Sequence, residues 1–328
     1  MRRITLFALA FIVVAATAFG QTATVTKNVN LRPDPSTGQA AITLLTPGTS
    51  LTLLEATPTS GYYHVRTPDG QEGWVYGRNI RIAPQPTAPP PPPAATGCPP
   101  TGTHVVNGKP VPYAANSDAG LRNTAKKHIP TGTTPVPLTF DDFKALQDDT
   151  NQLFRDAHAT KAKIEPNRDA LHNLQTTSRT VNEGDLVQLM GFIVADTKQG
   201  AESVNCGGSD GFDFHINIGA KASTSATAEY AGIVAEMIPQ GREPEWTIPA
   251  LTAVRKQGLP VLVVGGLTYD NEHLVNDNPK KPKGGQPKRL SLWEIHPITA
   301  FFVCERPNGC DSGVEAQWTT LAEWSKKQ

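Results

Sequence analysis

Two apolar stretches in the second half of the chain carry ionisable side chains at two-residue spacing. In Phe212-Asp-Phe-His-Ile-Asn-Ile218, strand alternation puts Asp213, His215 and Asn217 on one face. Phe212, Phe214, Ile216 and Ile218 take the other face. In Trp293-Glu-Ile-His296, Glu294 and His296 share a face opposite Trp293 and Ile295. Asp270 and His273 stand where a third apolar run ends. If these faces converge, His215, His273, His296 and Asp270 would bind a divalent metal such as zinc, because imidazole and carboxylate are the donors it takes. Glu294 would then be free to act as a base. The same residues would also serve as a buried hydrogen-bonded network, since polar groups facing inward from apolar strands need partners.

Two further groups point to binding rather than chemistry. Lys280-Lys-Pro-Lys-Gly-Gly-Gln-Pro-Lys-Arg289 holds five positive charges in ten residues: Lys280, Lys281, Lys283, Lys288 and Arg289. Such a loop suits an anionic polymer of the cell envelope, with Trp293 the nearest aromatic for stacking, or is simply a solvated loop. Near the N-terminus Tyr63, Trp74 and Tyr76, with Tyr62, could line a shallow groove, although some of them must fill a core that is tiny at about 60 residues. A Gly-x-Ser-x-Gly elbow, a P-loop and a dinucleotide fingerprint are all absent from the sequence. Lys+Arg and Asp+Glu balance at 30 each, so no net field favours nucleic acid as a partner.

The elements that must position these groups fall into two units, as expected for 328 residues at roughly 100–200 per domain. Residues 1–20 read as a signal peptide: Arg2 and Arg3, an apolar stretch from Ile4 to Ala16, then Ala18-Phe19-Gly20 before Gln21. The mature protein is therefore expected in the periplasm or outside the cell, with no membrane span. Residues 22–82 alternate as short strands: Thr49 to Glu55, Tyr62 to Arg66 and Gly73 to Tyr76, separated by glycine-containing turns. Residues 83–97, with Pro89 to Pro93, read as a semi-rigid polyproline spacer.

In residues 98–328 an irregular entry leads to an amphipathic helix from Phe140 to about His158, N-capped by Thr139 with Asp142 three residues on. Five strands are expected: Leu186–Ala195, Phe212–Ile218, Tyr230–Ile238, Val261–Tyr269 and Leu290–Val303. A closing helix is expected from Gly313 to Lys326. Gly191 in the first strand and Gly265-Gly266 in the fourth suit a strongly bent barrel. The fold expected is thus mainly β with some α. Four cysteines in an oxidising compartment favour disulfides. Cys304 and Cys310 flank the turn-forming Glu-Arg-Pro-Asn-Gly, which favours them as one pair and leaves Cys98 with Cys206.

Asn30-Leu31-Arg32, Asp34-Pro35-Ser36-Thr37, Pro47-Gly48-Thr49, Gly70 and Gly73-Trp74-Val75 appear in an order that resembles the bacterial SH3-like family. That resemblance implies a small β-barrel binding cell-wall or peptide material. The later glycine-interrupted strands resemble OB-folds, whose loop between strands four and five lines a ligand face. Glu202-Ser-Val-Asn-Cys206, Asp213-Phe-His215, Tyr269-Asp270-Asn-Glu-His273 and Trp293-Glu-Ile-His-Pro297 resemble an uncharacterised family of secreted bacterial proteins. The Glu-x-His pair is also similar to one in zinc peptidases that trim peptidoglycan. Their second pattern, His followed seven residues later by Asp, is missing, since position 222 is Ala. The function expected is an exported modular binding protein; the alternative is a metal-dependent hydrolase of envelope polymers.

Overall fold

The computed structural model describes residues 22–55, 58–82, 97–132, 134–153, 165–207, 211–271, 273, 288–306 and 309–328. The signal peptide expected at residues 1–20, the expected spacer up to residue 96, and Lys280, Lys281 and Lys283 lie outside the described residues.

Alternation builds the first unit. Strands β1 (Thr22–Val25), β2 (Val29–Leu31), β3 (Thr43–Leu45), β4 (Ser50–Leu53), β5 (Tyr62–Arg66), β6 (Glu72–Tyr76) and β7 (Ile80–Ile82) follow one another with short turns. Five of them pair antiparallel in the order β6-β5-β4-β1-β7, and β2 and β3 form a hairpin joined to β6 through Arg32 and Trp74. The inward positions Val25, Leu31, Leu51, Leu53, Val65 and Val75 make one small apolar core.

The second unit begins with a hairpin, β8 (Thr103–Val106) and β9 (Lys109–Pro112), and helix α1 (Asp118–Lys126). Next come β10 (Val136–Leu138), α2 (Phe140–Leu153) and the hairpin β11 (Leu174–Gln175) and β12 (Thr180–Val181). The barrel strands are β13 (Leu186–Ala201), β14 (Phe212–Gly219), β15 (Ile233–Met237), β16 (Pro260–Tyr269) and β17 (Trp293–Val303). Helix α3 (Ile248–Gln257) joins β15 to β16, and β18 (Thr319–Thr320) and α4 (Leu321–Ser325) close the chain.

The five long strands run β13-β14-β15-β17-β16, and β16 returns to pair with β13. That pairing closes an OB-like barrel in which only β15 and β17, among these five, are parallel. A Cβ on Gly265 would sit 2.2 Å from the Pro297 carbonyl, so β16 and β17 can approach at their bulge only with glycine there. Ile216, Ile218, Ile233, Leu267, Trp293, Ile295 and Phe301 fill the interior. Phe143 and Leu146 of α2 and Leu251 and Val254 of α3 join the same core.

Several elements differ from expectation. The closing helix is reduced to Leu321–Ser325, because Thr319 and Thr320 pair with Val303 and Phe302 instead of winding. The capping box of Thr320 and Glu323 starts the helix only after that pairing ends. Strand β13 continues past Ala195 to Ala201, while β15 begins at Ile233 because Tyr230 lies in a 3-10 turn. Helix α2 is described to Leu153, and its expected continuation toward His158 lies outside the described residues. Helices α1 and α3 are unexpected, although both carry start signals: Ser117 and Thr247 cap them, and Gly258 ends α3 in a left-handed turn. The disulfides are Cys98–Cys206 and Cys304–Cys310, with Cα separations of 5.8 and 5.9 Å.

Candidate functional site

Outside the barrel interior, the polar faces of β14, β15, β16 and β17 line up. Pairing sets His215 opposite Glu236 and Thr268 opposite Glu294. Such a face would ordinarily meet water. Here the N-terminal extension of the second unit roofs it. The Cys98–Cys206 disulfide ties that extension to the turn at Ser203–Asn205 between β13 and β14. A side chain on Gly102, whose φ is 68°, would meet the Ser203 carbonyl at 2.3 Å, so glycine lets the two segments touch. Asn123 of α1 donates to the Thr101 carbonyl at 2.9 Å.

The roof seals charge inside. Asp213, Glu294 and His296 are fully buried, and Lys126, Glu236, Asp270 and Arg289 nearly so. His296 Nδ1 donates to the Lys126 carbonyl at 2.6 Å. Its Nε2 lies 3.1 Å from Glu236 Oε2 and 3.7 Å from Asp213 Oδ2, without the alignment of a hydrogen bond. Asn205 Nδ2 donates to the other oxygen of Asp213 at 2.7 Å, and His215 Nδ1 meets the other oxygen of Glu236 at 3.2 Å. Lys126 Nζ stands 3.8 Å from Glu236 and 3.9 Å from Glu294. Arg289 bridges Asp270 at 2.9 Å and Glu294 at 3.4 Å.

Burial and mutual repulsion divide the acids. Burial raises the Glu294 carboxyl to about 8; Asp270 and Glu236 add to the rise, and Lys126 and Arg289 oppose it. Glu202 rises to about 7 through burial and the nearby Asp213. Burial would also raise Asp270 and Glu236, but Lys126 and the imidazoles beside them hold both well below the usual carboxylate range. Burial alone would lower His296, yet Asp213 and Glu236 raise it to about 10. Poised and ionised carboxyls thus sit side by side, the pattern from which acid–base sites are built. A polar cavity of about 280 Å³ opens beside them, lined by Arg122, Lys126, Glu202, His215, Glu236 and His273 among others.

The residues expected from the sequence are brought together only in part. His215 and His296 both face Glu236, whereas His273 bonds Asp270 and is largely exposed. Among the described residues, the metal-ligating atoms that gather within 4.8 Å of one another are those of Asp213, Glu236 and His296, a set without His215, His273 or Asp270. Trp293 cannot stack on a ligand: it is fully buried, and its Nε1 donates to Thr150. Arg289 is committed to buried carboxylates, and Lys288 pairs with Glu229 at 2.7 Å. Glu202 and Asn205 lie in the motif Glu202-Ser-Val-Asn-Cys206 without having been read as site residues, and Lys126 had no signal beyond its residue type, because helix α1 and the turn at Ser203–Asn205 become part of the site only through the roof. Glu236 sits in the apolar run 230–238 and could have been singled out as an acid on a strand.

On the first unit, cross-strand pairs set Tyr62 opposite Tyr76 and His64 opposite Trp74. The rings of His64 and Trp74 stack at 4.7 Å, and those of Tyr62 and Tyr76 meet at 5.2 Å. These four share the outer face, while Tyr63 packs against the core with Val65. Of the four aromatics expected in a groove, Tyr62, Trp74 and Tyr76 therefore belong together and Tyr63 does not.

Residues 27–81 match the model of the bacterial SH3 domain family. No curated protein matches the chain.

Proposed function

We propose that the protein is an exported modular binding protein, held to a cell-wall or peptide ligand by its bacterial SH3 domain. The OB-like domain would take a second, small polar ligand in the cavity beneath α1. The observation that carries the first part is the aromatic face of the barrel: Tyr62, His64, Trp74 and Tyr76 form one patch on the domain matched to that family. Aromatic side chains held by a rigid sheet offer contact area at small entropic cost, so a partly exposed ladder suits recognition. Export is supported by the two disulfides, which persist in oxidising compartments. Among the described residues no helix is long and apolar enough to cross a membrane.

Co-sedimentation of purified protein with insoluble peptidoglycan, alongside a fluorescent peptide-binding screen, tests the reading. Trp74→Ala with Tyr76→Ala is expected to weaken retention at least ~10-fold, the effect of removing about 1.4 kcal/mol or more of contact. Wild-type protein that is retained by neither material, or a double variant that binds as well as wild type, would refute it.

A further inference from the structure

We propose that Asp213, Glu236 and His296 form a binding site for one divalent transition-metal cation, of the zinc or manganese class, on the roofed face of the OB-like barrel. The site goes beyond the binding function argued above and stands or falls without it.

The first support is that three donor atoms gather within 4.8 Å of one another. His296 Nε2, Asp213 Oδ2 and Glu236 Oε2 are buried and make no hydrogen bond. Buried polar atoms are normally satisfied, so three orphans around one point call for a cause. The spacing supplies the second. A protonated imidazole bonded to a carboxylate closes to about 2.7–2.9 Å. Here the separations are 3.1 and 3.7 Å. Metal–ligand bonds of ~2.0–2.2 Å put neighbouring donors of a tetrahedral site roughly 3.3–3.6 Å apart. The observed pair brackets that interval, and the 3.7 Å contact is too open for direct bonding.

The surrounding shell gives the third support. A ligating histidine usually gives its other ring N–H to a carbonyl or carboxylate, which fixes the tautomer. His296 does so through Nδ1 to the Lys126 carbonyl at 2.6 Å. The free oxygen of each carboxylate is likewise held: Asp213 by Asn205 and Glu236 by His215. Ionisable groups of both signs crowd the site. Asp213, Glu236, Glu294, Asp270 and Glu202 surround the point, and the cations near them are Arg122, Lys126 and Lys127 at α1 and Arg289 in the segment before β17. His215 and His273 stand there as well. Glu236 also lines the cavity, so a further ligand has a route to the ion. All four cysteines are tied in disulfides and do not compete.

The test uses the full mature chain with its disulfides intact, stripped by chelator and dialysed against Zn2+ or Mn2+ at neutral pH. One equivalent of metal is expected by elemental analysis. Co2+ loading is expected to give a visible absorption band that Zn2+ quenches. His296→Gln and Asp213→Asn should each weaken binding by ~100-fold or more, and Asn205→Ser, which leaves the ligands in place, by about 10-fold. His273→Ala should leave it unchanged. Asn205→Ser and the wild-type Co2+ band decide the matter if a ligand variant fails to fold. Folded wild-type protein that takes up no metal at ~1 mM overturns the proposal, as does binding that survives both His296→Gln and Asn205→Ser or is lost in His273→Ala.

Discussion

The two barrels of this chain use their outer faces in opposite ways. Both fill the interior with alternating apolar residues, Leu31 and Val75 in one, Ile216 and Ile295 in the other. On the SH3 barrel the residues between them are aromatic and reach solvent: Tyr62, His64, Trp74 and Tyr76. On the OB-like barrel the residues between them are charged, and the roof of α1 shuts them away. An exposed aromatic patch costs the fold little and is open to a partner. A buried charge cluster costs desolvation and is weak evidence for stability, since apolar replacements of whole ion clusters are often neutral or stabilising. Retaining it points to chemistry or ligand binding on that face.

The largest expected effect comes from breaking the buried set. Lys126→Met leaves Glu236 and Glu294 facing each other without their shared cation. Removing one partner of a buried pair costs about 3–5 kcal/mol, so urea denaturation of the OB-like domain should show its midpoint falling sharply. An unchanged midpoint would mean that the cluster is wetter and better screened than its burial implies, and the contrast between the barrels would collapse.

A pH titration sharpens the comparison next. Glu294, raised to about 8 from an ordinary 4.5, binds its proton more tightly when folded. Its contribution is therefore complete below about pH 4.5 and is lost as pH rises through 8. Glu202, raised to about 7, and His296, raised to about 10 from an ordinary 6.5, act in the same sense. Asp270 and Glu236, held low, act in the opposite sense and withdraw stability in acid. Thermal unfolding of the OB-like domain should thus weaken between pH 6 and pH 9, and Glu294→Gln should flatten that decline. A variant that keeps the full decline would rule out Glu294 as its source.

The smallest effect is expected on the open barrel. Trp74→Ala removes a cross-strand ring contact that is worth about 0.2–1 kcal/mol, so the SH3 unfolding transition should move little while ligand retention falls. A loss of several kcal/mol would show Trp74 to be a core residue, and the patch would no longer read as a recognition face.

Much of this was legible along the chain. Period-two alternation placed Asp213 with His215 and Glu294 with His296, because a pleated backbone sends successive side chains to opposite faces. The ordered SH3 motifs and the turn between Cys304 and Cys310 were equally local. The basic loop misled, since Arg289 is adjacent in sequence to solvated-looking lysines yet turns inward to Asp270 and Glu294. Trp293 misled for a related reason: one residue from Glu294, it faces the opposite side of β17 and fills the core.

By itself, then, the sequence determined which residues share a strand face, which cysteines a short turn can join, and that one barrel displays rings where the other displays charge. Those are consequences of backbone geometry over a few residues. Only the tertiary structure decided that His296 meets Glu236 and Asp213 rather than His273, and that Lys126 completes the cluster. Barrel closure and the Cys98–Cys206 tie bring together groups separated by more than a hundred residues. Burial and charge separation, on which metal affinity and proton affinity depend, exist only once that roof is in place.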